Sequence, residues 1–179
     1  MKKELDEKLC ADFPKIFAQR NLPMNQTCMC WGFDVGDGWY DLIHTLCSVI
    51  QNKVDNELDH YQRAVNVNAA IEALSHGDVG PALALYKWDT HSPDAKKIER
   101  VMNMTKVEIG EPPRQVEAVQ VKEKFGGLRF YVNRVDPAVE GAIDMAEAMS
   151  YHICEVCGAP GEPNRDGWIK TLCKEHTKE

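Results

Sequence analysis

The chain has 179 residues, of which 44% are hydrophobic and 27% are charged, and its formal net charge at pH 7 is −7. These values are typical of a folded globular chain and exclude wholesale disorder. The first eight residues are charged and lack the apolar stretch of a signal peptide, and no apolar run approaches membrane-spanning length. We therefore expect a cytoplasmic protein without a membrane partner.

The N-terminal forty residues predict a helix followed by a short strand. Apolar side chains between Leu5 and Phe17 recur at helical spacing, and Pro14 should interrupt that helix. Residues 27–33 are rich in strand-forming side chains, which predicts a short buried strand. Two glycines should end this strand, and Asp37 between them is placed to cap the next helix.

The middle of the chain predicts mainly helices. Apolar side chains recur every three to four residues, and Gly77, Ser92 and Pro93 mark positions where helices end or begin. The predicted helices cover residues 37–54, 59–75, 78–88 and 92–103. We interpret residues 59–103 as a helical insertion in a larger domain.

Residues 116–132 carry the clearest strand signal. Two alternating segments flank Gly126 and Gly127, which predicts a β-hairpin with a two-residue turn at these glycines. The apolar face of this hairpin should carry Val119, Val121, Phe125, Leu128, Phe130 and Val132. Asp136 then begins a helix that continues to about His152.

The other face of the hairpin carries Lys122, Lys124, Arg129 and Tyr131. A turn at the two glycines would place Lys124 opposite Arg129, and Lys122 opposite Tyr131. Like charges directly opposed on paired strands destabilise a sheet, so some negative group should neutralise them. The alternatives are a bound anion or partner, and a carboxylate of this chain chosen from Glu140, Asp144 and Glu147.

Charge is distributed unevenly around this hairpin. Residues 120–134 contain four basic side chains and one acidic one, whereas residues 135–150 contain four acidic side chains and no basic one. An acidic protein repels nucleic acid on average, so any nucleic-acid binding would have to use the local basic segment. Nucleic acid is therefore a partner that the sequence allows but does not favour.

The C-terminal segment contains two short pairs of metal-binding residue types. Cys154 and Cys157 form the first pair, and Cys173 and His176 form the second after 15 intervening residues. This spacing is typical of a tetrahedral zinc site, in which each pair binds the ion from one turn. Since four protein ligands leave no open position for water, we expect one structural Zn2+ per chain.

Two further sets of side chains leave other chemistry open. The donors for a second metal site would be Cys28, Cys30, His44 and Cys47. The side chains of a metal-dependent hydrolase would be Asp34, Asp37 and His44. However, Cys47 lies on the apolar stripe of its predicted helix, as a core thiol would, and helix capping accounts for Asp37.

Three stretches of the chain resemble a known group of proteins. They are residues 29–40, MCWGFDVGDGWY, residues 121–131, VKEKFGGLRFY, and residues 154–176, which contain the cysteines and histidine. They resemble small bacteriophage and prophage proteins that end in a Cys-x-x-Cys/Cys-x-x-His module and have no assigned activity. The resemblance implies a phage origin and an intracellular stage of action, and it supplies no catalytic residue. Small acidic phage proteins often bind host or defence proteins.

These observations predict an α+β fold with a small antiparallel sheet, several helices and a C-terminal zinc knuckle of treble-clef or ribbon type. The predicted domains are residues 1–150, which include the helical insertion, and a zinc-binding module over residues 151–179. The leading hypothesis is a non-enzymatic phage accessory protein that binds a host or defence macromolecule through its acidic surface. The alternatives are a nucleic-acid or nucleotide binder that uses residues 122–131 and a metal-dependent hydrolase.

Overall fold

The computed structural model describes residues 1–164 and 167–177, which adopt the predicted α+β fold. The helices are α1 (Lys3–Asp12), α2 (Tyr40–Ser75), α3 (Gly80–Leu85), α4 (Asp94–Met102) and α5 (Pro137–Ser150). The strands are β1 (Phe33–Asp34), β2 (Ala118–Lys124), β3 (Gly127–Val132), β4 (Glu162–Pro163) and β5 (Thr171–Leu172). Single 3-10 turns cover Ala18–Asn21, Met29–Trp31 and Asp37–Trp39. None of the helices in these two ranges is long and apolar enough to cross a lipid bilayer.

The chain divides into two compact units, each with its own apolar core. The first unit consists of residues 1–54 and 115–179, and Trp39 is its largest fully buried side chain. The second unit consists of residues 55–114. Its core is small, with Ala70, Ala82 and Val101 as the buried members.

The predicted hairpin forms, but its turn lies one residue earlier than expected. The turn residues are Phe125 and Gly126, whose φ angles of 56° and 77° are both in the left-handed region. Gly127 instead begins β3 and pairs with Lys124. A β-carbon at Gly127 would overlap the ring of Tyr151, so this glycine serves packing and not the turn.

The shifted turn changes the pairing of the charged side chains. Lys122 lies opposite Arg129, and Tyr131 lies opposite Gln120, so both predicted pairs are wrong. Phe125 was expected on the apolar face and instead lies at the tip of the hairpin, where 65% of its surface is exposed.

The three-stranded sheet has the order β1-β2-β3, with β1 parallel to β2 and β2 antiparallel to β3. Two side chains of α5 close the outer edge of β3. The Ser150 hydroxyl accepts a hydrogen bond from the Leu128 amide at 2.8 Å, and the Glu147 carboxylate accepts one from the Phe130 amide at 2.9 Å. These bonds satisfy donors that an uncovered strand edge would expose.

Two predicted elements in the first half of the chain need correction. The predicted strand over residues 27–33 is mainly a 3-10 turn, which the Thr27 hydroxyl stabilises by accepting from the Met29 amide at 3.1 Å. The two helices predicted over residues 37–54 and 59–75 are one continuous helix, α2. No glycine or proline lies between the two predicted segments to end the helix there.

Asp37 does not cap α2 as predicted. Its carboxylate accepts a hydrogen bond from the backbone amide of Lys2 at 2.7 Å and forms an ion pair with the Lys2 ammonium at 3.1 Å. The bond from the backbone amide, helped by the ammonium, holds the pKa of Asp37 below its usual value. Asp37 therefore fixes the N-terminal segment to the loop before α2.

Candidate metal centre

The predicted metal ligands converge at the C-terminus of the first unit. The donor atoms of Cys154, Cys157, Cys173 and His176 all lie within 4.8 Å of one another. The Cys157 and Cys173 sulfurs are 3.8 Å apart, and Nδ1 of His176 is 3.6 Å from the Cys154 sulfur and 3.1 Å from the Cys173 sulfur.

These distances can be compared with the edges of a tetrahedral zinc site. Bond lengths of about 2.3 Å to sulfur and about 2.0–2.1 Å to nitrogen require edges of about 3.8 Å between two sulfurs and about 3.6 Å between sulfur and nitrogen. Two of the three separations match these values, and the third is shorter. The cluster can therefore hold a metal ion of this size with little rearrangement.

The first ligand pair lies on a tight turn. Gly158 has a φ of 78° directly after the pair, and its amide donates to the Cys154 carbonyl at 2.8 Å. Burial raises the pKa of the Cys154 thiol, but hydrogen bonds from the backbone amides of Cys173, Cys157 and Val156 outweigh burial and lower the pKa overall. Amides of both ligand turns therefore favour a thiolate at Cys154, the form of cysteine that binds metal.

The second ligand pair lies on a turn stabilised in the same way. The Thr177 amide donates to the Cys173 carbonyl at 3.0 Å. A hydrogen bond from the His176 amide to the Cys173 thiol is the main reason that the pKa of this thiol is lowered, and the Glu175 amide adds to it. Backbone amides therefore favour the thiolate at Cys154 and Cys173. At Cys157 the hydrogen bond from the Ala159 amide lowers the pKa, but desolvation and the neighbouring Cys154 and Cys173 side chains outweigh it and raise the pKa overall.

Burial also fits a structural site. Cys154 and Cys173 are buried, His176 is half-buried and Cys157 is exposed. Four protein ligands complete a tetrahedral shell and leave no position at which a substrate or an activated water would bind. The arrangement is suited to holding the chain together and not to metal-assisted catalysis.

A loop from the first half of the chain packs against the first metal-binding turn. The amide of Gly36 donates to the Glu155 carboxylate at 2.9 Å, and the amide of Gly38 donates to the Glu155 carbonyl at 2.8 Å. The indole nitrogen of Trp39 donates to the Ile153 carbonyl at 2.8 Å. Three hydrogen bonds therefore attach this loop to the metal-binding turn and to the residue that precedes Cys154.

Both glycines of this loop are required by close backbone contact. A β-carbon at Gly36 would overlap the Glu155 carbonyl, and one at Gly38 would overlap the Cys154 carbonyl and the Gly158 amide. Sequence reasoning assigned these glycines to the end of a strand and missed this role. The sequence shows only two closely spaced glycines at this point, and the buried Trp39 that follows them places the loop in the core of the first unit.

Glu155 is buried between this loop and the metal-binding turn. Burial is the main reason that its pKa is raised, although the hydrogen bond from Gly36 opposes the shift. Its second carboxylate oxygen is buried and has no hydrogen-bond partner within residues 1–164 and 167–177. Glu155 therefore links the packing of the loop at Gly36 to the conformation of the metal-binding turn.

The tip of the β2–β3 hairpin also contacts β5, the strand just before the second ligand pair. The Thr171 hydroxyl donates to the Gly126 carbonyl at 2.6 Å, and the Thr171 carbonyl accepts from the Glu155 amide at 2.9 Å. Thr171 is fully buried. The three sequence stretches 29–40, 121–131 and 154–176 therefore meet at one place, with the metal ligands at its centre.

The four predicted binding residues of the hairpin share one face, as expected, but they differ in their surroundings. Arg129 forms an ion pair with Glu147 at 3.6 Å and donates to the Tyr151 hydroxyl at 3.0 Å, and the bond to Tyr151 is the main reason that its pKa is raised. For Lys122 and Lys124, no carboxylate of the described residues lies at ion-pair distance.

The residues considered for other chemistry have separate partners. The Cys30 thiol contacts the Thr27 carbonyl at 3.3 Å, and Cys47 is buried in the core. His44 lies 3.4 Å from the carboxylate of Asp12. Within the described ranges, the structure brings together no second group of three or more metal-binding side chains.

Comparison with protein-family models, with curated proteins and with solved structures finds no match for this chain.

Proposed function

We propose that this chain is a non-enzymatic binding protein in which one zinc ion stabilises the fold. The observation that carries the proposal is the closed Cys3His cluster. The glycine loop, residues 36–39, packs against the turn that carries Cys154 and Cys157, and the hairpin tip binds Thr171, two residues before Cys173. A metal in this position organises three separated segments and offers no coordination site to a substrate.

The donor set supports zinc as the bound ion. Three thiolates and one imidazole are soft or borderline ligands, whereas magnesium and calcium require oxygen donors. The observed separations fit the tetrahedral geometry that zinc adopts in structural sites.

We propose that the partner binds to an acidic surface, the outward face of α5. Glu140 and Asp144 are exposed on this face, together with Met145 and Met149. No lysine or arginine occurs in residues 135–150, so nothing on the helix itself neutralises the two carboxylates. Carboxylates beside flexible apolar side chains suit a partner surface that is basic and partly apolar.

The partner class follows from this charge and from the resemblance to phage proteins. A phage-encoded protein of this size would act in the host cytoplasm, where a host or defence protein with a basic functional surface would be its target. Binding by α5 would cover that surface, in the manner of a nucleic-acid mimic.

Affinity purification of the tagged protein from host lysate, followed by quantitative mass spectrometry, tests the proposal. The double variant Glu140→Lys/Asp144→Lys should lose the stoichiometric partner that the wild type recovers. The matched control is Glu99→Lys/Glu108→Lys, which makes the same charge change at two exposed positions of the second unit and should retain the partner. Recovery of the same partner by both variants would exclude α5 as the binding surface.

A further inference from the structure

The solvent face of the hairpin alternates basic and aromatic side chains. The Lys122 ammonium lies 5.8 Å from the centre of the Tyr131 ring, and the Lys124 ammonium lies 5.3 Å from the centre of the Phe125 ring. Together with Arg129, these residues form a surface that we call the basic–aromatic strip. Its two aromatic rings are exposed, Phe125 to 65% and Tyr131 to 42%.

Positive charge on this strip is only partly neutralised by the residues that the structure describes. Lys122 lies directly opposite Arg129, an arrangement that is unfavourable unless an anion is near. Glu147 pairs with Arg129, whereas Asp34 lies beside Lys122 across the β1–β2 pair without forming an ion pair with it. The two lysines therefore retain unpaired positive charge.

The aromatic ring at the tip of the strip is held in an unfavourable backbone conformation. Phe125 is the one non-glycine residue with positive φ in the described part of the chain, and its side chain is 65% exposed. A bulky residue in the left-handed region costs stability, and an exposed ring recovers little of that cost by packing. Asparagine or glycine would form this turn more favourably, so the ring has another use.

We infer that the basic–aromatic strip binds single-stranded nucleic acid. The exposed rings of Phe125 and Tyr131 provide stacking surfaces for bases, and Lys122 and Lys124, two residues apart on one strand and thus about 6.6 Å apart along it, contact successive phosphates. Single strands are favoured over duplexes because the bases of a duplex are already stacked on each other. This surface lies on the hairpin and does not depend on the acidic face of α5.

Fluorescence anisotropy with a labelled oligothymidylate of about 12 nucleotides tests the inference directly. Wild-type protein should bind at about 50 mM salt and lose most of its affinity at about 200 mM salt, because binding releases counterions. Lys124→Glu should weaken binding by about tenfold at the lower salt concentration. The control Lys96→Glu, at an exposed lysine of α4, should leave the affinity unchanged.

Two further variants separate a binding role from a structural one. Phe125→Asn removes the ring but suits the positive φ, so it should preserve or raise the melting temperature while it lowers affinity by about tenfold. Asp34→Asn removes the negative charge beside Lys122 and should strengthen binding. A merely structural role for Phe125 would instead lower the melting temperature in the asparagine variant.

Four outcomes would overturn the inference. The first is the absence of binding at the lower salt concentration, and the second is an equal effect of Lys124→Glu and Lys96→Glu. The third is tighter binding of a labelled polyglutamate peptide than of the oligothymidylate, which would assign the strip to an acidic protein partner. Preference for a duplex of the same length would also contradict the single-strand assignment.

Discussion

Gly38 and Cys154 lie so close together that any side chain at position 38 would overlap the Cys154 carbonyl. The neighbouring hydrogen bond, from the Gly38 amide to the Glu155 carbonyl at 2.8 Å, fixes the same contact. The loop that precedes α2 thus packs directly against the turn that carries the metal ligands Cys154 and Cys157. Metal binding and the packing of the N-terminal half of the first unit are therefore expected to be coupled.

Gly38→Ala should destabilise the first unit strongly. The added methyl group meets backbone atoms on the metal-binding turn, which cannot move aside as a flexible side chain would, and the free energy of unfolding should fall by about 3 kcal/mol or more. The matched control is Gly141→Ala in α5, where nothing lies within 4 Å and the helix should gain about 0.5–1 kcal/mol. Equal stability of the two variants in urea denaturation would disprove the contact.

Cys157→Ser should lower zinc affinity on the order of a hundredfold or more, because one of the four metal ligands is lost. Cys157 is the exposed ligand, so its substitution disturbs packing less than that of either buried cysteine. Cys28→Ser is the control, since Cys28 is also exposed and lies outside the cluster. Competition with a zinc-binding dye measures both affinities, and similar affinities would exclude Cys157 as a ligand.

The metal ligands could be predicted from the sequence because their arrangement is local. Cys154 and Cys157 lie on one turn, and Cys173 and His176 on another, so spacing alone identifies them. The contact between Gly38 and the first turn could not be predicted in this way. It joins two segments far apart in the chain, and its only sequence sign is a pair of glycines that would serve equally well in a free loop.

The hairpin shows a different limit. The alternation of side chains predicted that Lys122, Lys124, Arg129 and Tyr131 share a face, but the position of the turn depends on which two residues adopt positive φ. Gly126 and Gly127 were the obvious pair, yet the ring of Tyr151 occupies the space beside Gly127 and makes that glycine part of the strand. Phe125 therefore occupies the first turn position, although a positive φ is sterically unfavourable for a phenylalanine.

Ser150→Ala should lower the free energy of unfolding by about 1–3 kcal/mol, because the buried amide of Leu128 would lose its acceptor. Ser75→Ala is the matched control. Both hydroxyls donate to the carbonyl three residues earlier, in Ser150 to Glu147 and in Ser75 to Glu72, but only Ser150 also accepts from a strand. Chemical denaturation should leave the Ser75 variant close to wild type, and an equally small change in the Ser150 variant would contradict the edge contact.

Alkylation with iodoacetamide at pH 8 should divide six of the seven cysteines into three groups. Cys28 is exposed and should react first, whereas the three ligand cysteines should react only after chelation. Burial, reinforced by the nearby Asp6 carboxylate, raises the pKa of Cys10 to about 11, and burial raises that of Cys47 further. These two thiols should stay unlabelled in the folded protein.

The rate of Cys10 alkylation should increase with pH. Only the thiolate reacts, so at pH 8 about one Cys10 thiol in a thousand would be reactive, and labelling should rise as the pH approaches 11. Mass spectrometry of peptides identifies each labelled site. Rapid labelling of Cys10 at pH 8 would show that the N-terminal helix does not pack as described.

Bound metal is expected to hold the glycine loop, residues 36–39, and the hairpin tip in place through the metal-binding turn. Hydrogen–deuterium exchange with and without a zinc chelator tests it most directly, with peptides from α4 in the second unit as the internal reference. Chelation should sharply increase hydrogen–deuterium exchange in residues 36–39 and 153–158, and it should leave the exchange of α4 unchanged. Unaltered protection of Gly36 and Gly38 in protein shown to be metal-free would contradict it.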